Sequence, residues 1–196
     1  MSDSAKTPIS VAIITQNEQA NIQACLESVS WAEEIIIVDA MSEDRTAEIA
    51  SQFTDKIFKK EWAGFSKQKQ FALEMCSYEW VLSLDADERI RPELADEIKS
   101  ILADNPAADG YSIARRSYFL NKWIKQCGWY PGYQVRFFRK SKTELSDSRV
   151  HEGYLVDGKV AKLNNDIDHY SHPSLHNSLE KMNRYSTLEA LDRLER

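Results

Sequence analysis

The chain of 196 residues has only three cysteines, and they are far apart, at Cys25, Cys76 and Cys127. An odd number of cysteines without a Cys-x-x-Cys pair argues against both a disulfide framework and a structural zinc site. We therefore interpret the three residues as reduced thiols that mostly pack in the interior.

Long apolar runs are also missing, since no stretch approaches the roughly 20 residues that a membrane-spanning helix needs. The first eight residues, Met1 to Pro8, do not have the basic and then apolar layout of a signal peptide. With 42% hydrophobic and 29% charged residues, the composition is that of an ordinary globular protein. We therefore expect one domain over residues 1–196, located in the cytoplasm.

Acidic residues are absent from the segment Tyr111 to Thr143, which contains eight basic ones. The net charge of −6 is therefore spread unevenly, because all 31 acidic residues lie in the other parts of the chain. This asymmetry indicates that the segment 111–143 has a function of its own.

The first half of the chain alternates apolar runs with segments of helical periodicity. The runs are rich in β-branched residues and are continuous rather than alternating, which is typical of buried parallel strands. They are Ile9 to Thr15, Glu34 to Val38, Lys56 to Lys60 and Trp80 to Leu84. Three strand-to-helix units in succession predict an α/β fold with a mostly parallel central sheet flanked by helices.

Polar residues stand where three of these strands end, namely Thr15, Asp39 and Asp85. Ligands of open α/β sheets bind at the carboxyl ends of the strands, so we expect these residues to share one crevice. Asp85 and Asp87 are separated by Ala86, and in an extended backbone positions i and i+2 project to the same side. Two such carboxylates need a cation, and Mg²⁺ prefers carboxylates together with substrate phosphates. The alternatives are a solvated acidic turn, and for Asp39 a helix cap or loop residue.

The second half has a different periodicity. Gly110 to Phe119 and Gln134 to Lys140 predict strands, and Val150 to Leu163 predicts a hairpin that turns at Asp157-Gly158. We divide the chain into a first half, residues 1–104, an added antiparallel second half, residues 105–173, and an amphipathic helix, residues 174–196. The apolar stripe of this helix begins at Leu175, and it runs to Arg196 without a C-capping signal, so we expect the natural chain to continue.

Four segments carry a resemblance to a known family. They are Ile9-Ser-Val-Ala-Ile-Ile-Thr-Gln-Asn-Glu18, Ile35-Ile-Ile-Val-Asp-Ala-Met-Ser-Glu-Asp-Arg-Thr46, Gly64-Phe-Ser-Lys-Gln-Lys69 and Trp80-Val-Leu-Ser-Leu-Asp-Ala-Asp-Glu88. In order and spacing they resemble the family 2 glycosyltransferases of the GT-A fold. The segments Gly128 to Pro131, Arg136 to Arg139 and Val150 to Gly153 are similar to the branch that contains the lipopolysaccharide-core glucosyltransferases.

The resemblance implies inverting transfer of a sugar, with a UDP-hexose as the expected donor, to a glycan or glycolipid such as lipopolysaccharide core. It implies Mg²⁺ or Mn²⁺ as the cofactor and gives roles to residues of this chain. Thr15, Glu18 and Asp39 would hold the nucleoside, Lys69, Asp85 and Ala86 would contact the nucleotide sugar, and Asp87 would bind the metal with Asp85. Residues 1–104 would then be the nucleotide-sugar-binding half and residues 105–173 the acceptor half. Apart from the resemblance, we expect His169, in Asp168-His169-Tyr170, to reach the metal or the diphosphate. The chain departs from the family pattern at Met41, where glycine is usual, at Gln70, where asparagine is common, and at Gly132, where the branch often has aspartate.

The basic segment 111–143 is the predicted acceptor face. Its cations and aromatic rings suit an anionic glycan or glycolipid at a lipid-water interface, which is compatible with contact at the cytoplasmic face of the inner membrane. The residues assigned to the acceptor are Arg115, Arg116, Trp129 and Arg136. An alternative is that about half of the aromatic residues belong to the core.

Glu152 is the predicted general base. An inverting transferase needs one carboxylate to take the acceptor proton, and it must be separate from the catalytic, metal-bound Asp87. Glu152 follows Val150-His151 and precedes Gly153, where backbone can approach a ligand closely. His151 as the base, or an exposed His-Glu pair without a role, remain alternatives.

Two other functions compete with glycosyl transfer. A sugar nucleotidyltransferase would share the sheet and the metal-binding aspartate, but the Gly-rich, basic loop of such enzymes is missing after Thr15. A nucleic-acid-binding module would use the basic, aromatic segment 111–143, but it leaves the strand-end carboxylates unexplained. We therefore expect no nucleic acid partner.

Overall fold

The fold was analysed in a computed structural model. It describes residues 7–104, 106–146 and 153–172, together with residues 174–176, 178–179, 182–183, 186–187 and 190.

The first half forms the predicted series of strands and helices. The elements are β1 (Ile9–Thr15), α1 (Ile22–Ser28), β2 (Glu34–Asp39), α2 (Thr46–Ala50), β3 (Ile57–Lys59), α3 (Phe65–Met75) and β4 (Trp80–Asp85). The four strands lie in the order β3-β2-β1-β4, and all of their pairings are parallel. The parallel sheet predicted from the continuous apolar runs is therefore confirmed.

Most strands of the rest of the chain extend the same sheet, and the strands Thr143–Leu145 and Tyr154–Val156 form a separate two-stranded sheet. The elements of this part are β5 (Glu88–Ile90), α4 (Pro92–Ala103), β6 (Gly110–Phe119), β7 (Lys122–Trp123), β8 (Gly132–Arg139), β9 (Thr143–Leu145), β10 (Tyr154–Val156), β11 (Val160–Lys162) and β12 (Ile167–His172). The order continues from β4 as β8-β6-β12-β5, with β8 antiparallel to both β4 and β6. Because β5 from the predicted first half pairs with β12 from the second, the two halves share one sheet.

The predicted hairpin within Val150 to Leu163 is wrong. β10 pairs with β9 instead, and β11 lies parallel to β6. Asp109 explains the second pairing, because its backbone and its carboxylate both bond the backbone of Lys159, just after the expected turn. These tertiary hydrogen bonds direct the chain to the edge of β6 rather than back along β10.

Helices cover the parallel part of the sheet, β3-β2-β1-β4, on both faces, as predicted. The larger hydrophobic core lies under α1 and α4, where Ile22, Leu26, Leu94 and Ile98 are fully buried. The smaller core lies under α3 and includes Leu73. β1 is buried along its whole length between the two cores, which explains its continuous apolar sequence.

No helix in the described part of the chain is long and apolar enough to cross a membrane. In the predicted C-terminal helix, the described side chains of Leu175, Leu179 and Met182 are each at least half exposed. The remaining residues of its apolar stripe have no described side chains.

Candidate active site

The carboxyl ends of β1, β2 and β4 bring the predicted polar residues together. Thr15 is paired with Asp39 across β1 and β2, and Asp85 is paired with the neighbouring Ile14 across β1 and β4. The Thr15 hydroxyl oxygen is buried and has no hydrogen-bond partner among the described residues. An unsatisfied polar atom in the interior is unusual, and at this edge of the sheet it indicates a ligand contact.

Asp39 is fully buried, and its carboxylate is bonded within its own turn. Both oxygens accept hydrogen bonds from Ser42, one from the backbone N–H and one from the hydroxyl. Met41 between them has a φ of 59°, the left-handed conformation that glycine adopts most easily. Methionine therefore adopts here a backbone conformation that glycine would adopt with less strain.

Asp85 lies between two cations. Its Oδ2 accepts a hydrogen bond from Nη2 of Arg136 at 2.8 Å, and its Oδ1 lies 3.3 Å from Nζ of Lys69. Burial opposes ionisation, but the charges of Lys69 and Arg136 outweigh it and hold the pKa of Asp85 well below its usual range. Burial also opposes the charge of Arg136, but the carboxylates of Glu88 and Asp85 outweigh it and raise the pKa of Arg136.

Asp87 has different neighbours from Asp85. The chain turns at Ala86 and Asp87 instead of staying extended. The expectation that both carboxylates project to one side assumed an extended backbone, and that assumption is wrong. Oδ1 of Asp87 lies 3.5 Å from Nε2 of His169, and Nδ1 of that ring lies 3.5 Å from the Ser117 hydroxyl. Ala86 packs in the larger core, so only its backbone is available to a nucleotide.

The pair of Asp87 and His169 fits a divalent cation. A carboxylate and an imidazole nitrogen at this separation can share one ion, and Ser117 is placed to orient the ring from behind. Among the described residues no group of three or more His, Cys, Asp or Glu side chains is placed to hold a metal. Donor phosphates and water would therefore complete the ligand set, as is usual for Mg²⁺.

Glu88 is the second carboxylate of this cluster and is fully buried. Its Oε2 accepts the backbone N–H of Asp85 at 3.0 Å, and its Oε1 accepts Nη2 of Arg136 at 2.8 Å. Nη1 of Arg115 lies 3.6 Å from the same Oε1. Two carboxylates and three cations thus form one connected group beneath the strand ends.

A cavity of about 240 Å³ adjoins this cluster. β4 and β8 pair only from Trp80–Arg139 to Leu82–Phe137, and the cavity opens beside β8 beyond the last pair. It is lined by Lys69, Tyr133, Gln134, Val135, Arg136, Leu145, Gly153 and Tyr154. A larger concavity of about 520 Å³ lies along β9 and β10 and shares none of these residues.

Residues 10–182 match the family model of glycosyl transferase family 2. The chain belongs to this family. It is 33% identical to the lipopolysaccharide core biosynthesis glycosyltransferase LpsC of Rhizobium meliloti (strain 1021), over 97% of this chain and 73% of that protein. It is also 33% identical to an uncharacterized glycosyltransferase of Rickettsia typhi, over 94% of this chain and 67% of that one.

Solved structures show the same fold at low sequence identity. S. aureus TarS 1–349 in complex with UDP-GlcNAc has a TM-score of 0.62 and 17% identity, covering 87% of this chain. The chain spans only 60% of that TarS chain. Mannosyl-3-phosphoglycerate synthase from Rubrobacter xylanophilus has a TM-score of 0.61 and 17% identity, over 96% of this chain and 74% of the other. The predicted GT-A fold of this family 2 member is therefore confirmed.

The structure separates the residues predicted for the acceptor face. Arg136 is only 2% exposed and bonds Asp85 and Glu88, so its guanidinium is not on a surface and that placement is wrong. Arg115 also turns toward Glu88, whereas Arg116, on the opposite side of β6, bonds Asp166 at 2.6 Å. Successive residues of a strand point to opposite faces, which is why the two arginines part. Trp129 remains on the surface.

Aromatic rings of the basic segment are largely engaged by the chain itself. The guanidinium of Arg116 lies 4.6 Å from the centre of the Trp123 ring, and Nζ of Lys125 lies 4.4 Å from it. The Tyr130 hydroxyl bonds Asp166, and Nζ of Lys162 lies 4.3 Å from the Tyr133 ring. The faces expected to be open to sugars are therefore partly occupied.

No hydrogen bond or ion pair found among the described residues joins Glu18 to the cluster. Glu18 lies just before α1, where its side chain accepts a hydrogen bond from Asn21 and its backbone N–H donates to Thr46. Glu152 and His151 lie outside the described residues.

Sequence reasoning missed the part played by Glu88 and Arg136. Glu88 was visible only as a third carboxylate after Asp85-Ala86-Asp87. Arg136 carried one signal, since it is a charged residue between Val135 and Phe137 in an apolar strand. A buried charge in such a strand needs a partner, and the partner here comes from another strand.

Proposed function

We propose that this family 2 glycosyltransferase moves a hexosyl group from a UDP-sugar to a hydroxyl group of a glycan or glycolipid, with inversion and with a divalent cation. The observation that carries the proposal is the edge of the sheet where Thr15, Asp39 and Asp85 meet, with Asp87 and His169 beside them. Membership of the family supports the reaction type.

The nucleoside is expected at the ends of β1 and β2. The Thr15 hydroxyl, which has no hydrogen-bond partner among the described residues, supports a contact there, and Asp39 is its neighbour across the two strands. The role of Glu18 rests on the family resemblance alone. Lys69 and Asp85 follow toward the diphosphate and the sugar. TarS, which shares the fold, was crystallised with UDP-GlcNAc, and this supports a UDP-sugar as donor.

Asp87 and His169 would hold Mg²⁺ or Mn²⁺, with Asp85 nearby. When bound, the cation stabilises negative charge on the diphosphate leaving group. The contribution of this chain is to keep the carboxylate and the imidazole in place, through the turn at Ala86 and the pairing of β12 with β5.

The cavity beside β8 is the expected place of the transferred sugar. It borders Lys69 and Arg136, both contacts of Asp85, and its walls combine apolar Val135 and Leu145 with two tyrosines. At about 240 Å³ it is smaller than the roughly 300–1,000 Å³ of pockets for drug-sized ligands, which suits one sugar ring. We assign the acceptor-proton base to Glu152, which immediately precedes the lining residue Gly153.

The acceptor is proposed to be a glycan or glycolipid of the bacterial envelope. The 33% identity to a lipopolysaccharide core glycosyltransferase supports this class. Arg116 and Trp129 are the remaining candidates for acceptor contact. Apolar side chains of the C-terminal segment are exposed, which supports peripheral contact with the inner membrane.

Release of UDP from a panel of UDP-hexoses, with and without Mg²⁺ or Mn²⁺, tests the proposal. Asp87→Asn should lose activity by at least about 100-fold, because the amide binds a cation poorly, and should keep its thermal unfolding temperature, because asparagine has nearly the same size at this buried turn position. Asp96→Asn is the matched control, since Asp96 is an exposed carboxylate on α4. Undiminished turnover by Asp87→Asn, or equal turnover without any divalent cation, would contradict the assignment.

A further inference from the structure

Arg136 occupies an irregular position in β8. Tyr111 of β6 pairs with Phe137 and Ser112 pairs with Val135, so β8 has one residue more than β6 at this point, and that residue is Arg136. Such a β-bulge bends its strand and redirects a side chain. Here it lies at the position from which β8 no longer pairs with β4.

The redirected guanidinium joins two carboxylates from one turn of chain. A single nitrogen, Nη2, lies 2.8 Å from Oδ2 of Asp85 and 2.8 Å from Oε1 of Glu88. The other oxygen of Glu88 accepts the backbone N–H of Asp85 at 3.0 Å. Asp85 is thus held at two points, its backbone by Glu88 and its Oδ2 by Arg136.

These contacts leave Oδ1 of Asp85 in a defined position. It faces Nζ of Lys69 at 3.3 Å but makes no hydrogen bond within the described residues. An aspartate carboxylate alone rotates easily, because its terminal torsion is broad and nearly two-fold. Fixing Oδ2 therefore also fixes the direction of Oδ1.

We propose that Arg136 and Glu88 are positioning residues that orient the Asp85 carboxylate for the donor nucleotide. This rests on the proposed function, in which Asp85 contacts the nucleotide sugar. A buried ion pair of this kind adds little net stability, since desolvation offsets its attraction. Its value lies in orientation, because a site held close to its productive geometry binds without a further ordering cost.

Removing Arg136 alone would take from two buried carboxylates the cation that lies nearest to both of them and could unfold the protein. The test therefore uses the charge-balanced pair Arg136→Met with Glu88→Gln, which removes one positive and one negative charge. Calorimetric titration with UDP in the presence of Mg²⁺ measures binding without requiring transfer. It is run on the wild-type protein, on the paired variant, on Asp85→Asn, and on the three changes combined.

The paired variant is expected to weaken UDP binding by about 10-fold or more, the usual cost of removing a residue that orients a ligating group. In the Asp85→Asn background the same two changes should cost less than about threefold, because a positioning residue acts only through its target. In steady-state kinetics the KM for the donor should rise while the KM for the acceptor stays unchanged. Arg136→Lys, which keeps one charge contact, should recover part of the binding.

Arg139→Met is the matched control. Arg139 lies on the same strand, its Nε is 3.6 Å from Asp109 and its guanidinium lies over Trp80, so UDP binding should not change. Equal losses in the wild-type and Asp85→Asn backgrounds would overturn the inference. Full UDP binding by the paired variant would overturn it as well, and so would full UDP binding by Arg136→Lys combined with a changed KM for the acceptor. If the wild-type protein itself binds no UDP, the proposed function fails first, before any variant is compared.

Discussion

Glu34 and Asp85 are both ionised in the interior of the protein, but for different reasons. Glu34 lies at the start of β2, where Lys56, Ser10 and Ser77 donate hydrogen bonds to it. Asp85 lies at the opposite end of the sheet, where the charges of Lys69 and Arg136 act on it. The first carboxylate joins β1, β2 and the chain before β4, and the second joins β4 to α3 and β8.

Glu34 should make stability depend on acid pH. Burial opposes ionisation, but the hydrogen bonds from Lys56, Ser10 and Ser77 outweigh it and lower the pKa of Glu34 to about 2. A lowered pKa stabilises the folded state above the unfolded pKa of about 4.3, and this stabilisation is lost as the pH falls toward 2. Glu34→Gln should therefore cost on the order of 2 kcal/mol at pH 7, and the difference from wild type should shrink below about pH 4.5.

Urea unfolding of both proteins at pH 7, 5.5, 4 and 3 measures this difference. Glu48→Gln is a suitable control, because Glu48 is an exposed carboxylate paired with Arg45 on α2. A constant difference at every pH would show that Glu34 acts by packing alone.

Glu152→Gln should separate binding from chemistry. The amide keeps the shape of the side chain but cannot take the acceptor proton, so transfer should fall by on the order of 100-fold while UDP and Mg²⁺ still bind. Glu144→Gln serves as the control, since Glu144 is an exposed carboxylate on β9. Normal transfer by Glu152→Gln, or loss of UDP binding, would remove Glu152 from the role of base.

Among the elements, β8 decides most of the site. Its second half, from Phe137, extends the parallel sheet by pairing with β4, and its first half leaves β4 and opens the cavity. Arg136 lies at the point of separation and connects back to Asp85. One strand therefore supplies a sheet pairing, a cavity wall and a contact of the strand-end carboxylate.

Filling this cavity should affect the sugar and not the nucleotide. Val135→Phe adds a ring to one wall, so binding of UDP-hexoses should weaken by about 10-fold or more relative to UDP, by steric exclusion from a small pocket. Val160→Phe is the matched control on β11, because Val160 is exposed and does not line the cavity. Calorimetry with UDP and with each UDP-hexose gives both affinities, and equal effects on the two ligands would place the sugar elsewhere.

Over the whole molecule, the charge asymmetry of the sequence is largely neutralised. Within the described part of the chain, five of the eight basic residues in the segment 111–143 lie within 4 Å of carboxylates from other segments. They are Arg115, Arg116, Arg136, Arg139 and Lys142. The electrostatic argument for an anionic acceptor is therefore weaker in the folded protein than in the sequence.

Membrane contact should accordingly be apolar rather than electrostatic. We expect the protein to co-sediment with phospholipid vesicles, and binding should change by less than about twofold between 50 and 500 mM NaCl, since unpaired surface charge is what salt screens. Replacing Leu175, Leu179 and Met182 with serine should release it, because their exposed side chains supply the apolar area. Leu155→Ser, a single exposed apolar residue on β10, is the control. Strong salt dependence, or vesicle binding unchanged in the triple variant, would contradict this mode.

The local sequence pattern was enough to predict the parallel part of the sheet and the meeting of the three strand-end residues. Apolar runs such as Ile35 to Val38 can only be satisfied by burial on both faces, and parallel strands necessarily end at one edge, so Thr15, Asp39 and Asp85 had to meet there. The resemblance of the motifs to family 2 glycosyltransferases followed from the same residues.

Long-range pairing decided the rest. The bulge at Arg136 and the pairing of β11 with β6 depend on a register between strands that are distant in the sequence. The contact of Asp87 with His169 likewise joins two distant segments. The sequence does not distinguish Arg115, Arg116 and Arg136. In the structure, however, Arg115 and Arg136 turn toward Glu88, whereas Arg116 turns toward Asp166. The sequence shows that a side chain is charged. Only the tertiary structure determines whether that side chain is buried and which opposite charge lies beside it, and these two properties decide its role.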